Sequence, residues 1–311
     1  MAEKSFKGEL SGGWQLLKDS FYFIVKKPIF LLPIFLLWIV DAVGVLYFRY
    51  WWEPPTQINL IFLTIFLFIL LLSYFISLAN VLMLEFIQQI ESAEKISLAK
   101  AVTETLKNSW KILFISFLWA VMWFILLVIE VLTSRKRESE RPKPSLRDVA
   151  KTLAGVNSPL SWLDLGLALI GKLVRMTIFL SLPAIAWESK GPISSLKKSF
   201  QIIKTHFTHL LSVYSLTLVA TFIIVLPLAF IFTLDEGGVE IPNVLWTIVI
   251  IYIGIAWSLQ IYLEQMTVGM LYLWHLKWEK SGGKGSLSSV PEPDLLDNIS
   301  EFKEIKKITG V

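Results

Sequence analysis

The stretch Glu188-Ser-Lys-Gly-Pro-Ile-Ser-Ser-Leu-Lys-Lys-Ser-Phe200 ends one long apolar segment and begins the approach to the next. Residues 91–97 match residues 188–194 at Glu, Ser, Ile and Ser, with an ungapped offset of 97 residues. Residues 12–24 match residues 191–203 at Gly, Leu, Lys, Ser, Phe and Ile. The recurrence predicts one unit used three times, each an amphipathic interfacial helix followed by two membrane-crossing helices.

The repeat marks a set of motif positions: Glu91, Glu188, Gly191, Pro192, Lys197, Ser199 and Phe200. Pro192 and Ser194 suit the first turn of a helix, where backbone N–H groups have no partner within the helix. The helix that follows is predicted to bury an apolar stripe and to carry lysines beside it. The stripe consists of Ile193, Leu196, Phe200 and Ile203, and the lysines are Lys197, Lys198 and Lys204.

The composition is that of a membrane protein. Of the 311 residues, 55% are apolar and 14% aromatic, and the mean hydropathy is +0.63, more than a soluble core of this size can bury. The absence of cysteine excludes disulfides, thiolate metal sites and a cysteine nucleophile. The net charge of +4 comes from basic residues beside apolar segments. It therefore predicts that the protein contacts membrane lipids, above all their anionic headgroups. Nucleic acid is not predicted as a partner.

The apolar runs predict an all-α polytopic membrane protein with six transmembrane helices. The predicted spans are residues 29–48, 58–84, 112–132, 160–187, 210–234 and 244–279. They fall into three units, 11–92, 93–189 and 190–280, within one membrane domain of residues 1–280. A charged outer loop at 133–160 interrupts the second unit, and residues 281–311 are predicted to be a flexible cytoplasmic tail.

The basic residues also predict the orientation. The six-span layout places 19 Lys and Arg on the side of both termini and 8 on the other side, which makes the termini cytoplasmic in a prokaryotic inner membrane. Seven of those 8 lie in the 133–160 loop, against the rule. A five-span alternative keeps that loop inside if the charged fourth segment does not cross. The threefold repeat argues for six spans.

Four charged residues fall within predicted spans: Asp41, Lys172, Arg175 and Glu264. Counting residues from the repeated motif places Asp41, Arg175 and Glu264 at similar levels, and two acids balance two bases. We predict a neutral intramembrane cluster, because an unpaired charge at that depth is expensive. Depth matching favours Asp41 as the partner of Arg175. Three roles stay open: a paired network that fixes helix register, a polar groove for a headgroup or peptide, and a proton or ion relay.

Neither the histidines nor any known catalytic motif predicts a metal site or an active site. His206 and His209, at i and i+3, resemble half of a metal site, but no third His or Cys is near in sequence, so no metal is predicted. His275 fits an aromatic collar with Tyr272 and Trp278. No nucleophile elbow, HExxH or phosphate-binding loop occurs. We predict no cofactor and no enzymatic activity.

The stretch from Glu188 to Phe200 resembles a motif of uncharacterised prokaryotic multi-pass membrane families. These run roughly Glu-x-x-Gly-Pro-apolar-x-x-apolar-Lys/Arg-x-Ser-Trp and include the membrane domain of some glycerophosphodiester phosphodiesterases. The likeness covers about 25 residues, counted on this sequence, and Phe200 stands where Trp is common. It implies a polytopic inner-membrane protein. The phosphodiesterase activity is not implied, because this sequence has no soluble region for the catalytic barrel.

The sequence thus favours a non-enzymatic membrane protein that handles or moves a lipid or another amphiphile, or that maintains the envelope. The alternative is a structural or assembly subunit of a larger membrane complex. A membrane-protein partner and a homo-oligomer are both compatible with the sequence. The substrate, the direction of transport and the source of energy have no signature in it.

The six-span topology predicts which positions are reachable from outside the cell. In this cysteine-free protein, single substitutions Ser139→Cys, Ser194→Cys and Ser288→Cys are to be treated with a membrane-impermeant thiol reagent in intact cells. Only Ser139→Cys should react, because the other two lie on the cytoplasmic side. Permeabilised cells provide the control in which all three are labelled. Reaction of Ser194→Cys in intact cells would rule out the six-span orientation.

Overall fold

The computed structural model describes residues 14, 17–18, 20–50, 52–53, 56–92, 94–134, 162–283, 287 and 290. For residues 41, 45, 48–50, 91, 130–134, 162–169 and 218 it describes the backbone alone. The described residues form helices and connecting turns, and no strand occurs among them. The part of the 133–160 loop beyond residue 134 and most of the 281–311 tail lie outside the described residues.

In the part of the chain that the structure describes, eight α-helices follow a short 3₁₀ turn at Pro28–Phe30. They are α1 Leu31–Tyr50, α2 Ile58–Glu91, α3 Leu98–Lys107, α4 Ser109–Ser134, α5 Trp162–Ala186, α6 Pro192–Thr205, α7 Phe207–Glu236 and α8 Asn243–Lys280. Their bounds agree with the predicted interfacial helices and spans to within a few residues. Helix α2 is longer than a membrane requires: its 34 residues reach about 51 Å at ~1.5 Å per residue, against a hydrocarbon layer of ~30 Å.

Among the described residues, four helices are long and apolar enough to cross a membrane: α2, α4, α7 and α8. A fifth candidate is a bent pair made of residues Ser20–Lys26 and Pro28–Gly44, which meet at 111°. The bend falls at Pro28, whose ring fixes the start of the second helix. The chain is therefore a helical, multi-pass membrane protein with four or five candidate spans in its described part.

Most of the long helices pack side by side in a closed ring. Helix α2 packs against α1, α4 and α5, and α8 packs against α1, α5 and α7. Since α4 also packs along α5, the helices α1, α2, α4, α5 and α8 form a ring, with α2 and α5 in contact across it. Helix α7 lies outside this ring and is held mainly by α8.

The protein core lies at one end of the bundle. The buried segments are residues 79–87 of α2, 178–187 at the end of α5 and 261–275 of α8. Trp187 joins all three, because its indole N–H donates to the Leu84 carbonyl at 3.1 Å and its ring meets that of Tyr272 edge to face at 5.9 Å. This corner sets the position at which the repeated motif turns into α6.

The motif itself forms the turn between α5 and α6. Glu188 accepts hydrogen bonds from the hydroxyl of Tyr272 and from Lys190 at 2.6 Å. Gly191 precedes the helix in an extended conformation and Pro192 opens its first turn, as the sequence predicts. The side chain of Glu91, the equivalent motif position, lies outside the described residues.

The predicted burial of α6 is wrong in its details. Its buried face consists of Ser195, Ser199 and Ile202. Phe200 and Ile193, two members of the predicted apolar stripe, are each 62% exposed. Small serines let α6 approach α5 closely, and their hydroxyls bond to carbonyls within the helix. Within the apolar stripe, Ile193 and Phe200 are therefore free to contact lipid, whereas Leu196 and Ile203 pack against the protein core.

The lysines of α6 also separate into two groups. Lys197 is exposed on the surface of the helix, but the side chain of Lys198 is only 10% exposed and pairs with Glu279 of α8. The lysines that the sequence places beside the apolar stripe therefore lie in different environments. Helix α3 has the same design as α6, with Ala101 and Thr105 buried and the apolar Leu106 59% exposed.

Candidate functional site

Three of the four charged residues predicted within spans come together between α5 and α8. Lys172 and Arg175 are three residues apart on α5 and so project from the same side of the helix. Glu264 lies on α8, opposite them. The distance from Lys172 Nζ to Glu264 Oε1 is 2.7 Å, and that from Arg175 Nη2 to the same oxygen is 2.9 Å. The two helices are thus joined by two ion pairs that share one carboxylate.

The two carboxylate oxygens of Glu264 differ in the number of hydrogen bonds that they accept. Its Oε1 accepts from Lys172, from Arg175 and from Gln260 Nε2, the last at 3.0 Å. Its Oε2 and the Nε of Arg175 are buried and have no hydrogen-bond partner among the described residues. The side chains of Lys172, Arg175 and Glu264 are 9%, 18% and 4% exposed. Charges this well shielded need their partners, because hydrocarbon offers none.

Asp41, the fourth predicted member, is on α1. Its side chain lies outside the described residues, so the expected pairing of Asp41 with Arg175 and the neutrality of the whole set stay predictions. Among the described side chains of the cluster, two positive charges face one negative charge.

A groove lies beside these ion pairs, between α4, α5 and α8. Its volume is about 190 Å³. Three tryptophans contribute most of its aromatic wall, and two cations lie at one side of it. The lining residues are Trp119, Trp123, Leu126, Gly171, Lys172, Val174, Arg175, Trp257 and Ile261. Gly171 gives the groove its depth, because a β-carbon there would point toward Leu126 and narrow the space.

The groove borders the outer surface of the bundle. Ile170 and Leu173, the neighbours of Gly171 and Val174 along α5, are 46% and 47% exposed. Lys172 is held from another direction by Tyr214 of α7, whose ring centroid lies 4.8 Å from Nζ, a cation–π contact. The arrangement combines a polar end, where the charges lie, with apolar walls that continue to the exposed side of α5.

A second cluster contains all three histidines of the chain. His206 lies between α6 and α7, His209 is in the first turn of α7, and His275 is near the end of α8. His206 Nε2 is 2.9 Å from His275 Nδ1, and His275 Nε2 is 3.2 Å from Glu279 Oε1. The three side chains are 4%, 6% and 0% exposed. All three histidines are therefore buried within the protein.

His206 and His275 share one hydrogen bond, in which one of the two facing nitrogens carries the proton and the other accepts it. His275 Nε2 also approaches Glu279 Oε1, but without forming a hydrogen bond. Burial lowers the pKa of His206 to about 4, with further lowering from His275 and His209 and an opposing effect of Glu279. His206 is thus neutral at physiological pH.

The sequence contains the residues of this cluster at suggestive spacings, but they were not recognised as one site because they are far apart along the chain. Lys198, His206 and His209 share one side of the α6–α7 junction, and His275 and Glu279 are one turn apart on α8. Lys198 Nζ reaches Glu279 at 2.6 Å. Three histidines so close suggest a metal site, yet the facing nitrogens of His206 and His275 bond to each other. In the described ranges, no group of three or more His, Cys, Asp or Glu is arranged to hold a metal ion.

No known protein family matches this sequence, and no curated protein is significantly similar to it. The resemblance of Glu188–Phe200 to membrane families therefore stays a prediction, and the function has to be argued from the groove and its charges.

The shared carboxylate predicts an unequal effect of removing each member of the ion-pair cluster. Glu264→Gln should destabilise the protein most, by about 3–5 kcal/mol, because two cations stay buried without a counter-charge. Arg175→Gln should cost less, since Lys172 keeps its partner. In thermal unfolding in detergent, the double variant should be more stable than the sum of the two single losses implies.

An exposed ion pair serves as the control for this cycle. Lys107 and Glu104 are 2.6 Å apart, with side chains 62% and 36% exposed, so Glu104→Gln should cost less than about 1 kcal/mol. Strictly additive losses for Arg175→Gln and Glu264→Gln would show that the two side chains do not interact.

The buried neutral His206 predicts that stability falls in weak acid. In the unfolded chain His206 takes up its proton near its ordinary pKa of 6.5, but in the folded protein only near 4. The unfolded state therefore binds more protons between these values. The melting temperature should be highest above pH 6.5 and fall as the pH is lowered toward 4. His206→Gln should flatten that part of the profile, and Lys204→Gln, an exposed change nearby, should not. Equal slopes for His206→Gln and the unaltered protein would contradict this assignment.

Proposed function

We propose that this protein binds and handles a lipid or another amphiphile in the groove between α4, α5 and α8. The observation that carries the proposal is the combination of Lys172 and Arg175 with tryptophan walls at a site that borders the outer surface of the helices. Amphiphiles need both parts: a polar place for the headgroup and an apolar path for the chain. A site of this kind suits binding or movement of the molecule and needs no catalytic step.

The proposed architecture has six spans in three units. It adds α5 to the four or five candidate spans, because its 25 residues reach about 37 Å at ~1.5 Å per residue, enough for a ~30 Å hydrocarbon layer. Support for the three units comes from the order of elements. A short helical segment precedes each pair of long helices: Ser20–Lys26 before α1 and α2, α3 before α4 and α5, and α6 before α7 and α8.

The proposed location is a prokaryotic cytoplasmic membrane, with both termini on the cytoplasmic side. The short helices α3 and α6 then lie at the inner surface. Phe200 and Ile193 expose apolar side chains next to the lysine at 197, a pattern that suits contact with anionic headgroups. Such helices would keep the groove at a fixed height relative to the inner leaflet.

Native mass spectrometry of the gently extracted protein tests this function. We expect at least one amphiphile to remain bound, because the groove would otherwise expose buried charges. Gly171→Leu should abolish retention, since a leucine side chain would occupy the groove. Gly171→Ala is the matched control: its β-carbon would meet Leu126 at 3.4 Å, an ordinary contact distance, and most of the space would remain.

The alternative role, a subunit that scaffolds a larger membrane complex, predicts a different spectrum. A stable protein partner with no retained amphiphile, unchanged by Gly171→Leu, would favour that role and overturn the proposed binding function.

A further inference from the structure

The side chains that line the groove offer hydrogen-bond donors and no acceptor. Lys172 and Arg175 are donors whatever their orientation, and the three tryptophans carry only an indole N–H. None of these indole groups donates to another residue in the described part of the chain. The remaining lining residues, Leu126, Gly171, Val174 and Ile261, have no polar side-chain atom. A ligand that satisfies this surface must supply acceptors.

The described side chains at the groove carry a net positive charge. Lys172 and Arg175 face a single described carboxylate, and both contact the same oxygen of it. Arg175 Nε is left without a hydrogen-bond partner among the described residues, although it is shielded from solvent. The Arg175 side chain as a whole is 18% exposed and lines the groove, so its accessible N–H groups can form a further charge-assisted hydrogen bond, and these are the stronger ones. One added negative charge would balance the described side chains.

The size of the groove limits how much of a ligand it can enclose. Its volume of about 190 Å³ slightly exceeds the ~150 Å³ of a cavity that admits benzene. It is smaller than the ~300–1,000 Å³ of pockets that enclose whole drug-sized ligands. A headgroup fits and an acyl chain does not. The chain would have to leave along α5, where Ile170 and Leu173 are exposed.

We propose that the groove takes the phosphate oxyanion of an anionic phospholipid, with Arg175 and Lys172 on its oxygens and its acyl chains outside the groove along α5. This inference rests on the proposed amphiphile-binding function and names the headgroup that the site selects. A phosphodiester brings one negative charge and several acceptors, which match the surplus charge and the donor-only lining. Free inorganic phosphate has the same chemistry, so the test has to separate the two sources.

The test measures the melting temperature of the delipidated full-length protein in a neutral detergent. Four probes are added separately: phosphatidylglycerol, phosphatidylcholine, diacylglycerol and inorganic phosphate. At a hundredfold excess over its Kd, phosphatidylglycerol should raise the melting temperature by about 5 °C. Phosphatidylcholine, whose ammonium group would meet two cations, should shift it less. Diacylglycerol, which has no phosphate, and inorganic phosphate, which has no chains, should have little effect.

Two variants tie the shift to the groove. Arg175→Gln should weaken phosphatidylglycerol binding by about tenfold or more, the usual effect of losing a charge-assisted hydrogen bond. Lys107→Gln, at an exposed lysine on α3, measures the contribution of a surface lysine and should weaken binding much less than Arg175→Gln does. If Arg175→Gln does not fold, Gly171→Leu provides the same comparison. It keeps every charge and should remove the shift.

The outcomes separate this inference from the function on which it rests. Equal shifts with phosphatidylglycerol and diacylglycerol, both removed by Gly171→Leu, would overturn the headgroup assignment and leave amphiphile binding intact. An equal shift with inorganic phosphate would overturn the phospholipid as the ligand. No shift with any amphiphile, together with no lipid retained in native mass spectrometry, would overturn both.

Discussion

The bundle depends on the need to pair charges that lie among apolar helices. Lys172, Arg175 and Glu264 are buried where water cannot compensate them, so α5 and α8 must meet at one register to bring these side chains into contact. The two helices are 89 residues apart along the chain between Arg175 and Glu264. One electrostatic requirement therefore joins the second proposed unit to the third and determines which residues line the groove beside it.

Sequence reasoning could predict the cluster but only part of its geometry. Charged residues inside apolar runs are rare enough that Lys172, Arg175 and Glu264 can be recognised at once. Counting residues along a helix gives the height of a side chain in the membrane, but not the direction in which the helix faces its neighbours. The preference for Asp41 over Glu264 rested on height alone, whereas the observed ion pair depends on which helices are adjacent.

The same limitation explains the error in the burial of α6 and why the histidine cluster was not predicted. Amphipathic periodicity identified the apolar stripe of α6 correctly, but it does not distinguish burial against protein from burial in lipid. The protein-facing side consists of Ser195, Ser199 and Ile202, and the two serines carry no hydrophobic signal. His206 and His275 come together through the packing of α6 and α7 on α8, and that contact has no counterpart in local sequence. Helix bounds depend on local signals such as Pro192, which is why they were predictable.

The concentration of the core at one end has a consequence for the lipid around the protein. Residues 261–275 of α8 are buried throughout, whereas Ile248, Ile251 and Ile255, nearer its beginning, are 53%, 44% and 45% exposed. Helix α7 is similar, with Phe222 and Phe230 exposed at 69% and 65%. Acyl chains must therefore cover the side chains that protein covers at the other end. The thickness of that leaflet becomes part of what holds these helices in place, so shortening or lengthening the acyl chains would change their tilt and spacing.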